Sequence, residues 1–216
     1  MNKTQLGITG IAIGLSFTSM SSLAAGDTSF LGPSIGLGVS DVRSQLEFGG
    51  VLSGQTMSKN STGALIEASY GYPLTDDWVA TAGINVDVTK YDLGDMNYTY
   101  NGSSGQVTGK LSQHWEIYVA PGYRVAPQWL VYAKFGYDQI RAQVNNSLSS
   151  YNTGDTSGWA YGLGVGYTFM PNFEARLEYM QVKYNKQQGN NATLGDAFAQ
   201  GQPQTGSAIL LFAYRF

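Results

Sequence analysis

The sequence predicts an all-β protein: an eight-stranded antiparallel up-and-down β-barrel whose strands cross a membrane. Three observations predict it. Side-chain polarity alternates with a period of two in successive segments, and the connections between those segments alternate long and short. Only 12% of residues are charged while 43% are hydrophobic, with 28 Gly and 15 Tyr. An ordinary soluble domain carries about 25% charged residues, so small polar residues and aromatics stand here where a water-facing surface would place ions. Cysteine is absent, which excludes disulfides and thiolate metal sites. The net charge is −3, with no basic run, which argues against nucleic acid as a partner.

The first element is an export signal, residues 1–25, preceding a barrel domain over residues 26–216. Lys3 makes a short positive start, Leu6 to Met20 is mostly apolar, and Ser21, Ser22, Ala24 and Ala25 supply small residues for cleavage after Ala24 or Ala25. The apolar run is shorter than the roughly 20 residues a spanning helix needs. Export implies passage through the periplasm and its chaperones.

The strands follow. Ile35, Leu37 and Val39 begin the first, less regular one. Ala64, Ile66, Ala68, Tyr70 and Tyr72 share a face opposite Leu65, Glu67 and Ser69. Trp78, Ala80, Ala82, Ile84, Val86 and Val88 oppose Thr81, Gly83, Asn85 and Asp87. Trp115, Ile117, Val119, Pro121 and Tyr123 oppose His114, Glu116, Tyr118 and Arg124. Trp129, Val131, Ala133, Phe135 and Tyr137 oppose Tyr132, Lys134 and Asp138. Trp159, Tyr161, Leu163, Val165, Tyr167 and Phe169 oppose Gly162, Gly164 and Gly166. Phe173, Ala175, Leu177 and Tyr179 oppose Glu174, Arg176 and Glu178, and the last segment aligns Ala208, Leu210, Phe212, Tyr214 and Phe216. The segments run to about 10–14 residues, against about 5–6 for a soluble sandwich strand and about 9–11 for a tilted strand crossing a bilayer.

The connections are 49–60, 73–77, 92–110, 126–128, 143–158, 170–172 and 185–204. Long extracellular loops alternating with short periplasmic turns are the pattern of outer-membrane barrels. Pro73, Pro127 and Pro171 end strands by withholding a ladder donor. The apolar face then meets lipid, with aromatics at both ends of the strands forming interfacial girdles. A soluble lipocalin-like barrel would turn that face inward; the clustering of Trp and Tyr at strand ends argues against it.

The chain closes on Leu210, Leu211, Phe212, Ala213, Tyr214, Arg215 and Phe216. A terminal Phe preceded by apolar residues at alternate positions resembles the assembly signal of bacterial outer-membrane barrels. That resemblance implies that Tyr214 and Phe216 are read by the barrel-assembly machinery. Pro121–Arg124, Tyr132–Tyr137, Gly162–Tyr167 and Arg176–Tyr179 resemble segments of the small surface barrels: the outer membrane protein X, attachment-invasion and opacity-protein groups. The resemblance covers most of residues 30–216. It implies an eight-stranded barrel with a filled interior, placed in the outer membrane among lipid and lipopolysaccharide.

The inward face carries Glu67, Asp87, His114, Glu116, Arg124, Lys134, Asp138, Glu174, Arg176, Glu178 and Arg215. An eight-stranded barrel is just wide enough for side chains to fill it, and buried ions must pair. An ion-pair network is expected among Glu67, Arg124, Lys134, Glu174, Arg176, Glu178 and Arg215, all in the short-turn half. Ser112, His114 and Glu116 share one face, but same-face neighbours stand about 7 Å apart, too far for a catalytic relay along one strand. Lipid A deacylase barrels use His-x-Ser on a strand, and the order here is reversed. His114 is the sole histidine, so a zinc site lacks material. Asp92, Asp95 and Asp155 match no calcium-loop spacing. Gly162, Gly164 and Gly166 alternate within a strand and precede no helix, unlike a dinucleotide-binding turn.

The expectation is therefore a non-enzymatic surface barrel without cofactor, its polar, Tyr-containing loops touching host or other surface molecules. The alternatives are a small channel for ions or solutes, and a lipid-modifying enzyme. The sequence leaves the oligomeric state open. The loops lack the basic clusters that bind sulfated sugars or anionic head groups.

Overall fold

A computed structural model describes residues 29–48, 56–100, 103–146, 149–188 and 200–216. The expected signal peptide, residues 1–25, lies outside them. The elements are β1 (Gly32–Phe48), β2 (Thr56–Pro73), β3 (Trp78–Asp87), β4 (Tyr91–Tyr100), β5 (Ser103–Ala126), β6 (Trp129–Asn146), β7 (Ser149–Met170), β8 (Phe173–Tyr184), β9 (Gln187–Gln188) and β10 (Gln200–Arg215). Every neighbouring pair is antiparallel, and β1 pairs β10 from Ser34↔Arg215 to Phe48↔Gly201, which closes the sheet on itself. β3 and β4 are two lengths of one stave: β3 pairs β5 at Trp115–Tyr123, and β4 pairs it at Ser103–Leu111. The ring thus has eight staves, and closure pairs the backbone inside hydrocarbon.

The strands outrun the sequence expectation. β5 has 24 residues and β7 has 22, roughly twice what a bilayer requires. Segments 92–110 and 143–158, expected as loops, are largely the far ends of the hairpins β4–β5 and β6–β7. The reason lies in their polarity. The outward residues described there, among them Gln106, Thr108, Lys110, Gln143 and Asp155, are polar, as suits positions outside the bilayer, so the alternation that marks a lipid-facing strand is lost.

The faces exchange polarity along each strand. In β1 the outward residues are Ile35, Leu37 and Val39, then Asp41, Arg43 and Glu47; the inward ones are Ser34, Gly36, Gly38 and Ser40, then Val42, Leu46 and Phe48. In β6, outward Trp129, Val131, Phe135 and Tyr137 give way to Gln139, Arg141 and Gln143, while inward Asp138 gives way to Ile140 and Ala142. In β5 a bulge between Ser112 and Trp115, with Gln113 at φ 52°, switches the inward parity from Val107, Gly109 and Leu111 to Glu116, Tyr118 and Ala120. A non-Gly residue at positive φ is uncommon; here it realigns one stave with the rest.

Aromatic rings mark both edges of the apolar band. At the short-turn edge Trp129 packs on Tyr167 with centroids 4.6 Å apart, Trp78 on Tyr123 at 5.3 Å, and Phe173 on Tyr214 at 5.1 Å. At the other edge Tyr137 bridges Trp115 at 6.4 Å and Trp159 at 5.7 Å. Ile84, Leu163, Leu177 and Leu210 lie exposed between these rings, while Glu67 and Lys134 are buried. This orientation fits lipid outside and ions within.

Candidate functional site: a three-tiered lumen

The interior is stacked in three tiers. At the short-turn mouth, Phe30 (φ 68°) turns into the barrel and packs with Val79, Tyr118, Ala120, Leu130 and Tyr132. Its carbonyl lies so close to Gly71 that a Cβ there would stand 1.8 Å from the oxygen, so the chain closes over the mouth only because β2 has glycine at that point. Tyr132 is flanked in the ladder by Gly122 and Gly164. A Cβ on Gly164 would lie 2.4 Å from the ring. The inward glycines are therefore the space that the inward tyrosines occupy.

Above the plug sit two ion clusters. In the first, Arg176 donates to Glu67 at 2.5 Å and also to Glu174, and Arg215 Nη2 donates to Glu174 Oε2 at 2.9 Å. In the second, Lys134 Nζ donates to Glu178 at 2.9 Å, lies 3.6 Å from Glu116, and stands 4.0 Å over the Tyr118 ring. Tyr132 Oη donates to Glu178 at 2.7 Å, and Asn85 Nδ2 to Glu116 at 2.9 Å. A desolvated charge is tolerated where opposite charge and further hydrogen bonds surround it.

Six of the seven residues expected in one network thus fall into these two clusters. Arg124 does not. It lies beside a register shift at the end of β5, where its guanidinium reaches the rim: Nη1 donates to the Asp76 carbonyl at 3.1 Å and Nη2 to the Ser29 carbonyl at 2.6 Å. Its role there is to fasten the Phe30 segment to the β2–β3 turn. Glu116, outside the expected network, joins the lysine instead. Tyr214 and Phe216, expected from the resemblance to form an assembly signal, are outward, with rings 5.0 Å apart.

The third tier begins at His114. Its Nδ1 meets Asp87 and its Nε2 meets Asp138. Tyr91 lies beside it, ring centroids 6.4 Å apart, with its hydroxyl 3.1 Å from Ser40 Oγ. Both ring nitrogens are thus occupied by carboxylates, and neither faces Ser112. Ser112 Oγ turns to the Arg141 carbonyl at 3.5 Å, and Glu116 to Asn85 and Lys134. The Ser112, His114, Glu116 set is therefore dispersed among three sets of partners. A cavity of about 40 Å³ beside His114 and Tyr184 has room for water rather than a solute. Beyond it, Val42, Leu46, Met57, Leu93, Val107, Leu111, Ile140 and Val182 form an apolar core.

Sequence reasoning missed this core and Phe30. The signal for the core was the inward apolar set of β1 and β6, which continues after the outward set stops. Phe30 precedes the first regular alternation and carries no periodic signal. The loop acids have separate partners: Asp92 pairs Lys59 at 3.3 Å, Asp95 accepts from Gln106 at 3.2 Å, and Asp155 pairs Arg141 at 2.7 Å. No helix among the described residues is long and apolar enough to cross a membrane.

Comparison with known proteins gives a consistent picture. The family described as outer membrane protein beta-barrel domain matches residues 10–216. The fold is similar to that of Ail, the attachment invasion locus protein of Yersinia pestis, solved in complex with the heparin analogue sucrose octasulfate. Identity is 16%, 86% of this chain and 100% of that one are covered, and the TM-score is 0.50. It is also similar to Neisserial surface protein A, at 14% identity over 85% of this chain and 97% of that one, with a TM-score of 0.50. No curated protein matches at significance.

Proposed function

Because the chain belongs to the outer membrane protein beta-barrel domain family, we propose that it is a non-enzymatic surface barrel of the bacterial outer membrane, closed to solutes, whose projecting hairpins make the contacts that matter to the cell. One observation carries the reading. Among the described residues the lumen is filled in succession by the Phe30 cluster, the two ion clusters and the apolar core. A conducting pore would need a continuous polar tunnel, and strand length spent beyond the bilayer favours a surface role over a transport one. The likeness to Ail, solved with a heparin analogue, supports contact with surface or host molecules as the class of activity. Tyr214 and Phe216 serve in this reading as the signal for the barrel-assembly machinery.

Two measurements test it. The refolded chain in planar bilayers is expected to give no stable large conductance; such a conductance would refute the closed lumen. Cells of a non-adherent strain displaying the chain are expected to lose adhesion or serum survival when 49–55, 189–199 or the β4–β5 hairpin is shortened. If every shortened form is displayed and neither property changes, the surface-contact role fails.

A further inference from the structure

Charge is not balanced evenly along the lumen. In the first ion cluster two cations, Arg176 and Arg215, meet two carboxylates, Glu67 and Glu174. Above it two cations, Lys134 and His114, meet four carboxylates: Glu116, Glu178, Asp87 and Asp138. The interior where the two halves join therefore carries two negative charges in excess, even with His114 counted as a cation. The Tyr91 and Tyr184 hydroxyls that face Asp87 and Asp138 are neutral and leave that excess in place. Carboxylates buried this deeply need a compensating charge.

The ladder shows where the compensation belongs. Glu67, Asn85, Glu116 and Asp138 are successive partners across β2, β3, β5 and β6, so their side chains form one inward row. All four are more than nine-tenths buried. Each keeps one oxygen without a hydrogen-bond partner among the described residues: Glu67 Oε2, Asn85 Oδ1, Glu116 Oε1 and Asp138 Oδ1. Directly opposite ladder neighbours have Cβ atoms about 5 Å apart, so oxygens on adjacent strands can converge on one point. Three of the row, Asn85, Glu116 and Asp138, line the cavity of about 40 Å³ beside His114. Gly136 lets the Glu116 carboxylate lie against β6, since a Cβ there would overlap it. The unpartnered atoms of this row are all acceptors, and the space beside them admits one ion and little water.

We propose that this cavity binds one hard divalent cation of calcium size, with Asn85 Oδ1, Glu116 Oε1 and Asp138 Oδ1 as its protein donors. Calcium takes oxygen ligands in flexible geometry, whereas magnesium demands a near-ideal octahedron and keeps several waters, for which the cavity has no room. Zinc prefers nitrogen and sulfur, and both nitrogens of the sole histidine are engaged by Asp87 and Asp138. No three His, Asp or Glu side chains among the described residues are grouped to hold a metal unaided; the Asn85 amide oxygen completes the donor set. Bound there, the ion cancels the excess charge and ties β3, β5 and β6 together where the ion-paired half meets the apolar one. The site lies on the axis rather than on the hairpins, so a failed adhesion assay leaves it standing, and its own failure leaves the surface role intact.

The test is to refold the chain in an uncharged detergent with calcium, with magnesium or with a chelator, and to measure bound metal by elemental analysis after gel filtration. A single calcium ion is expected to stay with each barrel, and magnesium to be lost. Glu116→Gln with Asp138→Asn, which keeps both side-chain sizes, should bind calcium at least about tenfold more weakly. Asp92→Asn with Asp95→Asn, on the outward acids of the β4–β5 hairpin, should bind it like the wild type. Calcium should also raise the urea midpoint of the wild type and leave that of the Glu116, Asp138 double variant unmoved. Circular dichroism checks that each variant remains a folded barrel. Calcium absent from the wild type, or held equally by the double variant, would overturn the proposal. So would an infrared band of a protonated carboxyl that disappears in Glu116→Gln and ignores calcium, because protons would then supply the missing charge.

Discussion

Below the second aromatic edge, β8 points Phe173, Ala175, Leu177 and Tyr179 outward and Glu174, Arg176 and Glu178 inward. Beyond it the same strand points Gln181 and Lys183 outward and Met180, Val182 and Tyr184 inward. Nothing in the backbone distinguishes the two halves; the ladder runs on through both. What differs is the solvent. In the membrane half the hydrocarbon takes up apolar side chains from outside, and above the Phe30 cluster the interior is held by ion pairs. In the long-hairpin half water surrounds the barrel, and apolar burial at the axis stabilises it as it would any soluble protein. One fold therefore uses two different cohesive forces, joined near His114.

The strongest way to break that comparison is to remove one ion from the membrane half. Among the described residues Arg176 alone touches both Glu67 and Glu174. Arg176→Leu leaves Glu67 without its ion-pair partner and Glu174 with Arg215 alone, both buried, and is expected to cost about 3–5 kcal/mol. Lys183→Leu, on the outward face of the other half, should cost far less. Urea unfolding in lipid vesicles measures both. Equal costs would mean that the lumenal clusters are ornamental.

A sharper test moves along a single face. Leu177 and Gln181 both point outward on β8, four residues apart, on opposite sides of Tyr179. Leu177→Arg should cost about 2–4 kcal/mol in bilayers, and Gln181→Arg about 0–1, following the depth dependence of charge on a lipid-facing strand. Similar values at the two positions would place the membrane boundary elsewhere.

The same asymmetry explains what could be read from the sequence. The lipid-facing rows, such as Trp129 to Tyr137 in β6, stand out because hydrocarbon demands an unbroken apolar set on alternate positions. Glu67, Lys134, Glu174, Arg176, Glu178 and Arg215 follow from the same parity, and they do meet at the axis. The far ends of β5 and β7 were hidden because their described outward residues are ordinary polar ones, and small inward residues such as Gly109 in β5 and Gly158 in β7 interrupt the alternation. Pairing partners bring those ends into the sheet, and no single segment announces a partner. Arg124 shares the inward parity, yet parity says nothing of height. Its position at the rim, beside a register shift, is a tertiary fact. Phe30 is placed by the Gly71 gap on another strand, which local sequence cannot reveal.

The smallest effect is expected at the outward pair Arg141 and Asp155, in the long-hairpin half. Arg141 Nε donates to Asp155 Oδ1 at 2.7 Å, and this hydrogen bond lowers the Asp155 pKa below its usual carboxylate value while raising that of Arg141. A carboxylate with a depressed folded-state pKa adds stability above its unfolded value, and that stability is lost as pH falls through the folded one. Both groups are exposed, so salt screens the pair and the gain is slight. Carboxyl-carbon NMR should place the Asp155 midpoint below that of a free aspartate, and Arg141→Gln should return it to the usual range. The long-hairpin half should otherwise be insensitive to this change, because its stability comes from Leu93, Leu111, Ile140 and their neighbours. A measurable loss of unfolding free energy in Arg141→Gln, comparable to that of Arg176→Leu, would show that charge holds this half as well.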